Sequence, residues 1–422
     1  MLMSEAKFIP PKQNPWLVRS LQSFFYLIAY FVFKFRLVIK ERDLAKVRAI
    51  ANSRVVYLPN HSNLDDGVVV FQLSARIGQM FHYVVAIEAF RGMIGKILPK
   101  VGAYSIRRGV GDRSSVVQTL KTLQQAASKL LIFPEGGCSY QNDTVIPFRT
   151  GAIELSFKAL ERINKQEGAV PDLYLVPVSL KYCYPNATAA DVSQALRRLE
   201  TALSITPKGD NYERLRAIAE QILSGLEAEY WLTPTSEDLN QRLQDLRTRM
   251  LAYCEEKLNL TTIDRLPNRE RVYKVQSVIR NLSNEDETAI DSYKVSSTQE
   301  TTMLKASDLP SASIGRSRPS TELRAYEHIY LTTVRLLNFD AIYDGYVAEK
   351  PTPERFFATI DRFEREVFKI DRAKPKGRRK IIATIGASIN LKDYWQAYQT
   401  EKEQTISYIT QTAQQQVQAN LH

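Results

Sequence analysis

Cysteine is scarce: Cys138, Cys183 and Cys254 are the three in 422 residues, and no two have CxxC spacing. A disulfide framework is thereby excluded, and the thiols read as reduced and structural. Histidine is nearly as rare, with His61, His82, His328 and His422 scattered away from the cysteines. No metal site is therefore expected. Long hydrophobic runs are lacking too. Residues 20–33, SLQSFFYLIAYFVF, carry no charge but stop at fourteen, short of the roughly 20 apolar residues that span a bilayer. No small-residue cleavage site follows, so the segment is not a secretory signal peptide. Zinc-finger and RNA-binding signatures are absent, and nucleic acid is not an expected partner. There is no internal repeat.

What is present is a basic chain, with 57 Lys and Arg against 46 Asp and Glu for a net charge of +11. Such a surface favours phospholipid headgroups, nucleotides or acidic carrier proteins. The chain is 44% hydrophobic and 24% charged, ordinary for a folded soluble or peripheral protein. Its length implies one large domain with a sizeable elaboration, or two domains.

The first fifty residues hold nine Lys and Arg but only three Asp and Glu. Phe24, Phe25, Tyr26, Tyr30, Phe31 and Phe33 make the nearby run apolar nearly all round. Apolar insertion and attraction to anionic lipid add, so residues 1–45 read as an amphipathic, monotopic membrane-docking segment. The competing reading is a helix buried on the domain. The expected location is peripheral, on the cytoplasmic face of a membrane.

Between residues 54 and 185, short apolar runs alternate with helical patterns. The runs are 55–58, 83–87, 103–106, 130–133 and 173–180, and 113–129 shows helical spacing. This predicts an α/β core over 46–190, with a mostly parallel or mixed sheet flanked by helices. Helices are expected at 189–204, 211–230, 236–257, 321–337 and 353–369, where Thr352-Pro353 is a helix start. The Ser/Thr-rich stretch 293–320 reads as a flexible loop. A β-like run at 381–389 cannot stand alone. It is expected to return to the edge of the first sheet, making 191–375 a helical insertion and 376–422 a return strand plus C-terminal helix.

Four blocks carry chemistry. The first is Leu58-Pro59-Asn60-His61-Ser62-Asn63-Leu64-Asp65-Asp66. A histidine at the carboxyl end of a parallel strand lies where open α/β sheets place ligands. A hydroxyl needs a base of pKa near the working pH, and a carboxylate on the other ring nitrogen fixes the tautomer. Asp65 would face His61 in a regular helix; Asp66 is the partner if His61 lies in a loop ahead of the helix. The pattern alone also fits a strand-end histidine beside a capping aspartate. The second block ends a strand with Arg107-Arg108-Gly109. Its arginines suit bidentate phosphate binding or a solvated pair. The third, Phe133-Pro134-Glu135-Gly136-Gly137-Cys138-Ser139, is a loop with exposed amides or a tight strand-to-helix turn. Downstream, Pro147 to Ala152, with Arg149 among them, opens a helix whose amino end favours an anion. The fourth is Val176-Pro177-Val178-Ser179, whose proline points to a sheet edge or a bulge.

Together and in order, these blocks resemble the glycerol-3-phosphate/lysophosphatidate acyltransferase superfamily over residues 50–185, with weaker similarity at Ile385–Ile389. The resemblance implies His61 as general base and Asp66 as its orienting acid. It implies an acceptor and transition-state site drawn from Asn60, Arg107, Arg108, Glu135, Gly136 and Gly137, with Val176 and Pro177 lining the acyl region. The donor would be acyl-CoA or acyl-carrier protein, as a co-substrate, with no cofactor and no metal. N-terminal helices of the family commonly dock on one leaflet. Two departures stand out. The third block usually reads Glu-Gly-Thr-Arg in lysophosphatidate enzymes, and here it reads Glu135-Gly136-Gly137-Cys138. The serine common shortly after the histidine is Asn63. Glu-Gly-Gly occurs in some glycerol-phosphate acyltransferase relatives. Arg149, or a residue of the insertion, would replace the missing arginine. Alternatives are a CoA-independent phospholipid transacylase and a catalytically silent lipid-binding scaffold. Cys138 has nothing adjacent in sequence to activate it as a nucleophile.

Overall fold

The computed structural model describes residues 8–109, 111–260, 266–283 and 321–421. The stretch 293–320, read as a flexible loop, lies outside them. One mixed sheet contains β1 (Phe35–Ile39), β2 (Arg54–Pro59), β3 (His82–Ala86), β4 (Ala103–Ile106), β5 (Lys129–Leu131), β6 (Leu173–Cys183), β7 (Arg379–Ile385) and β8 (Ile389–Asn390). The order is β1-β7-β6-β2-β5-β3-β4, with β8 beside β6. The block from β6 to β4 is parallel throughout. β7 and β8 run antiparallel to β6, and β1 runs parallel to β7.

Strand alternation sorts the side chains into two cores. Val55, Tyr57, Val176 and Val178 face a core shared with α1 (Pro15–Phe31), α2 (Glu41–Ala49) and α3 (Asp66–Ile77). Val56, Leu58, Leu173 and Leu175 face the other, as the period of two requires. That second face is covered by α5 (Arg113–Gln124), α6 (Gly151–Glu167) and α15 (Lys402–Ala419). Helix α4 (Gly92–Ile97) follows β3, and α14 (Trp395–Thr400) precedes α15.

The insertion comprises α7 (Ala189–Leu203), α8 (Asn211–Glu229), α9 (Leu239–Lys257), α10 (Asn268–Ser283), α11 (Thr321–Asn338), α12 (Tyr346–Glu349) and α13 (Pro353–Val367). It has its own core, with Leu196, Ile218, Leu246, Phe357 and Ile360 among its buried residues. Its helix starts are written in the sequence. Thr188 with Asp191, and Asp210 with Glu213, form capping boxes, and Thr352 caps the helix opened by Pro353.

The sheet departs from expectation in two places. The return strand is internal, because residues 35–39 form the edge strand β1 rather than extending the anchor. The run 381–389 is also broken, β7 ending at Ile385 and β8 starting at Ile389. Pro177 explains the gap. It lies in the interior strand β6, not at an edge, opposite the break between the Val178–Ile385 and Leu175–Ile389 pairs. With no N–H to offer the neighbouring strand, it contributes only its carbonyl, which accepts from Gly386 N at 2.9 Å.

Among the described residues, no helix is long and apolar enough to cross a membrane. Helix α1 buries Val18 and Ala29 and packs Phe25 edge-on against Phe71 at 4.6 Å. It leaves Trp16, Phe24, Tyr26, Leu27 and Phe31 exposed, and α4 exposes Met93, Ile94 and Ile97.

Candidate active site

Strand β2 ends at Pro59, but its pairing with β6 continues through a side chain. Asn60 Oδ1 accepts from Leu180 N at 2.7 Å and its Nδ2 donates to Leu180 O at 3.1 Å. Asn60 is fully engaged by backbone, so its place here is to fix where the strand stops. His61 then falls in the loop ahead of α3. The first residue of that helix, Asp66, turns its carboxylate back: Oδ2 lies 2.9 Å from His61 Nδ1. Asn63 N donates to the same oxygen at 2.8 Å and the Tyr182 hydroxyl donates to Oδ1 at 2.5 Å. Asp66 is fully buried, while the His61 side chain keeps 21% of its surface. Three hydrogen-bond partners hold the Asp66 side chain in place at the amino end of α3. A carboxylate at Nδ1 selects the tautomer with its proton there, leaving Nε2 as the basic nitrogen.

Asp65 faces elsewhere. It pairs with Arg379 of β7 at 2.6 Å and with Arg372. The i,i+4 geometry that would favour Asp65 needs a helix through residue 61, and none is present.

The loop after β5 grips His61 from the other side. Phe133 stacks on the imidazole, with centroids 4.3 Å apart and planes at 27°. Glu135 Oε1 accepts from His61 N at 2.6 Å. His61 O accepts from Ser139 N at 2.7 Å and from the Ser139 hydroxyl at 3.2 Å. Burial raises the Glu135 carboxyl to about 8, with the charge of Asp66 adding to the rise. Its Oε2 is buried without a hydrogen-bond partner. The two glycines leave room for side chains that pack over the loop. Gly136 has φ +70° and a Cβ there would meet the Arg149 guanidinium at 2.5 Å. A Cβ on Gly137 would fall 2.1 Å from the Tyr273 hydroxyl. Burial, with the Asp66 and Glu135 carboxyls nearby, pushes the Cys138 thiol far up.

The arginines separate. Arg107 is tied to Asp112, which accepts from its amide at 2.8 Å and lies 3.8 Å from its Nε. Arg108 lies over the Tyr273 ring at 4.6 Å and pairs with Glu88 at 3.7 Å. Arg149 is 5.7 Å from the same ring and 3.7 Å from Glu270. Arg108, Arg149 and the Glu135–Gly137 loop thus converge on α10. Val176 and Pro177 do not join them: both are buried inside the sheet, Val176 in the core shared with α3.

Sequence reading missed Tyr182, quoted Phe133 and Ser139 in the third block without giving them a role, and allowed for a residue of the insertion without naming one. Tyr182 had a weak signal, as a hydroxyl-bearing ring on the buried face of a strand. For Arg269 and Tyr273, on α10, local pattern offered none.

Residues 38–181 match the family model described as Acyltransferase. The match runs from within β1 to within β6 and contains His61, Asp66 and the Glu135 loop. No curated protein matches the chain.

Proposed function

We propose, starting from the acyltransferase-family domain at residues 38–181, that this protein moves a fatty acyl group from acyl-CoA or acyl-carrier protein to the hydroxyl of a glycerol-phosphate or lysophospholipid acceptor at a membrane surface. The observation that carries the reading is the His61–Asp66 pair: Nδ1 held at 2.9 Å by a fully buried carboxylate, on a ring still open to solvent.

The chemistry follows from that arrangement. Nε2 takes the acceptor's hydroxyl proton as its oxygen attacks the thioester carbon. Asp66 stabilises the imidazolium that forms. The carbonyl oxygen gains the negative charge, then returns it as the carbon–sulfur bond breaks. The thiolate leaves with the proton from Nε2, giving an ester and a free thiol. No enzyme nucleophile intervenes, in keeping with the raised Cys138 thiol.

Support for the membrane surface comes from the exposed apolar side chains of α1 and α4 and from Lys34, Arg36, Arg91, Lys96 and Lys100 in the adjoining sequence. A radiolabelled acyl-CoA assay against glycerol-3-phosphate, lysophosphatidate and neutral or zwitterionic lysolipids tests the reading. Transfer to at least one phosphorylated acceptor is expected. Absence of transfer to all of them, from acyl-CoA and from acyl-carrier protein, would reject it.

A further inference from the structure

The basic run KPKGRRK at 374–380 enters β7 beside the end of α1. There an open cavity of about 420 Å³ is lined by Tyr30, Lys34, Arg36, Asn186, Arg378 and Lys380, among others. Strand alternation places two of its cations. Phe35, Leu37 and Ile39 of β1 are buried, so Arg36 points to the other face, and its register partner on β7 is Lys380. Arg378 lies over the Tyr30 ring, 4.6 Å from its centroid, and donates to the Tyr30 hydroxyl. Lys34 takes a left-handed backbone, φ 54°, and its carbonyl accepts from Arg379 N at 2.8 Å. The Arg379 charge, in the cavity wall, is met by Asp65 at 2.6 Å. Lys34, Arg36, Arg378 and Lys380 are exposed and have no acidic partner among the described residues. Four like charges gathered at one concavity repel one another and attract an anion. Next to Tyr30 in the chain, Phe31 and Val32 are 68% and 67% exposed.

We propose that this cavity seats the headgroup of an anionic phospholipid, with its acyl chains along the exposed end of α1. Uncompensated positive charge beside a wetted apolar surface matches a molecule with a phosphodiester at one end and hydrocarbon at the other. A soluble anion would answer the charge but leave Phe31 and Val32 in water. The volume is adequate, since small-molecule pockets run from roughly 300 to 1,000 Å³. The site rests on the membrane-surface part of the proposed function and not on its acyl chemistry, and none of the six lining residues named belongs to the loops around His61. Its position couples the two all the same. Strand β6 passes the level of Pro59 and ends at Cys183, opposite Lys380. Arg379 pairs with Asp65, next to Asp66. A lipid held here turns the His61 end of the sheet toward the bilayer.

The test is calorimetric titration of the full chain with dihexanoyl phosphatidylglycerol below its micelle-forming concentration, which reads a site without the diffuse attraction of a bilayer. Dihexanoyl phosphatidylcholine and inorganic phosphate are the comparison ligands. One equivalent of phosphatidylglycerol should bind, at least about tenfold more tightly than either. The paired change Arg36→Gln and Lys380→Gln should weaken that binding by about 10- to 50-fold with the melting temperature unchanged, since both side chains are exposed. Lys96→Gln with Lys100→Gln removes two charges near α4 and should leave it unaltered. Should the first pair not fold, Lys34→Gln is read by the same criteria, with a loss of about fivefold. The proposal fails if phosphatidylglycerol does not bind, if it binds no better than phosphatidylcholine, if the Arg36 and Lys380 pair binds it like wild type, or if the Lys96 and Lys100 pair loses as much. Inorganic phosphate binding as tightly as phosphatidylglycerol would overturn the assignment to a lipid. Lipid binding that depends on Arg36 and Lys380, in a chain without acyl transfer, would keep this site and overturn the enzymatic reading. Acyl transfer by a chain that binds no phosphatidylglycerol would overturn this site alone.

Discussion

Two adjacent carboxylates do different work, and substitution should separate them. Asp66 orients the imidazole, so Asp66→Asn should cut turnover by about 10³- to 10⁴-fold with little change in melting temperature. Asp65 neutralises the buried Arg379, so Asp65→Asn should cost about 3–5 kcal/mol of stability while the turnover of the folded fraction stays near wild type. Steady-state kinetics and thermal unfolding on both variants decide it. Glu135 makes a prediction of the opposite kind. Its folded value is raised from 4.5 to about 8, so the folded protein holds this proton where the unfolded chain releases it. Burying the carboxyl is therefore harmless below pH 4.5. It becomes increasingly destabilising up to about pH 8 and constant above that. Glu135→Gln cannot ionise and keeps an acceptor for His61 N. Its stability relative to wild type should rise across this window, by at most about 5 kcal/mol, as measured by denaturant unfolding at a series of pH values. At Cys138, replacement by Ala should leave turnover within about twofold, because a thiol pushed up so far supplies no thiolate for an acyl-enzyme.

At the scale of elements, the loop after β5 is a place where the insertion contacts the α/β domain. Arg269 reaches Cys138 O, Arg362 donates to Ser139 O at 2.6 Å, Arg365 lies over Tyr140 at 4.4 Å and Arg355 donates to Asp143 at 2.8 Å. All four arginines come from α10 and α13, and the loop they hold is the one that grips the backbone of His61. Helices α1 and α4 form the apolar flank. Removing residues 1–40 would strip strand β1 from the sheet and the Phe25 contact from α3, so such a deletion reports on folding as much as on anchoring. Point changes on the exposed side are cleaner. Phe31→Asp and Ile94→Asp should each weaken sedimentation with anionic vesicles by about 10- to 100-fold without shifting the melting temperature. Unchanged sedimentation would place the anchor elsewhere.

For the whole molecule, what the sequence made legible was what is local. Alternating apolar runs located β2 to β6 to within two or three residues, because strands buried on both faces are nearly all apolar. Local sequence left Asp65 and Asp66 both open as partners of His61, and the family resemblance pointed to Asp66. Thr352-Pro353 marked the start of α13, and helical spacing placed α7 and α8, which the structure starts with capping boxes at Thr188 and Asp210. What was hidden depends on contacts far apart in the chain. Edge strand β1 looked like the tail of an apolar segment, since its pairing partner lies more than 340 residues later. Pro177 was read as a sheet edge or a bulge, and the broken neighbouring strand that accommodates it in the sheet interior lies far along the chain, at 386–388. Arg269 sits on a helix whose surface pattern is ordinary, and only the fold sets it against Gly137.

The central claim is that one imidazole, backed by Asp66, deprotonates the acceptor. Its most direct test is single-turnover acyl transfer by His61→Ala, with glycerol-3-phosphate binding and vesicle sedimentation measured on the same sample. Loss of transfer by at least about 10³-fold, with binding and sedimentation unchanged, is the predicted result. Transfer at the wild-type rate would contradict it.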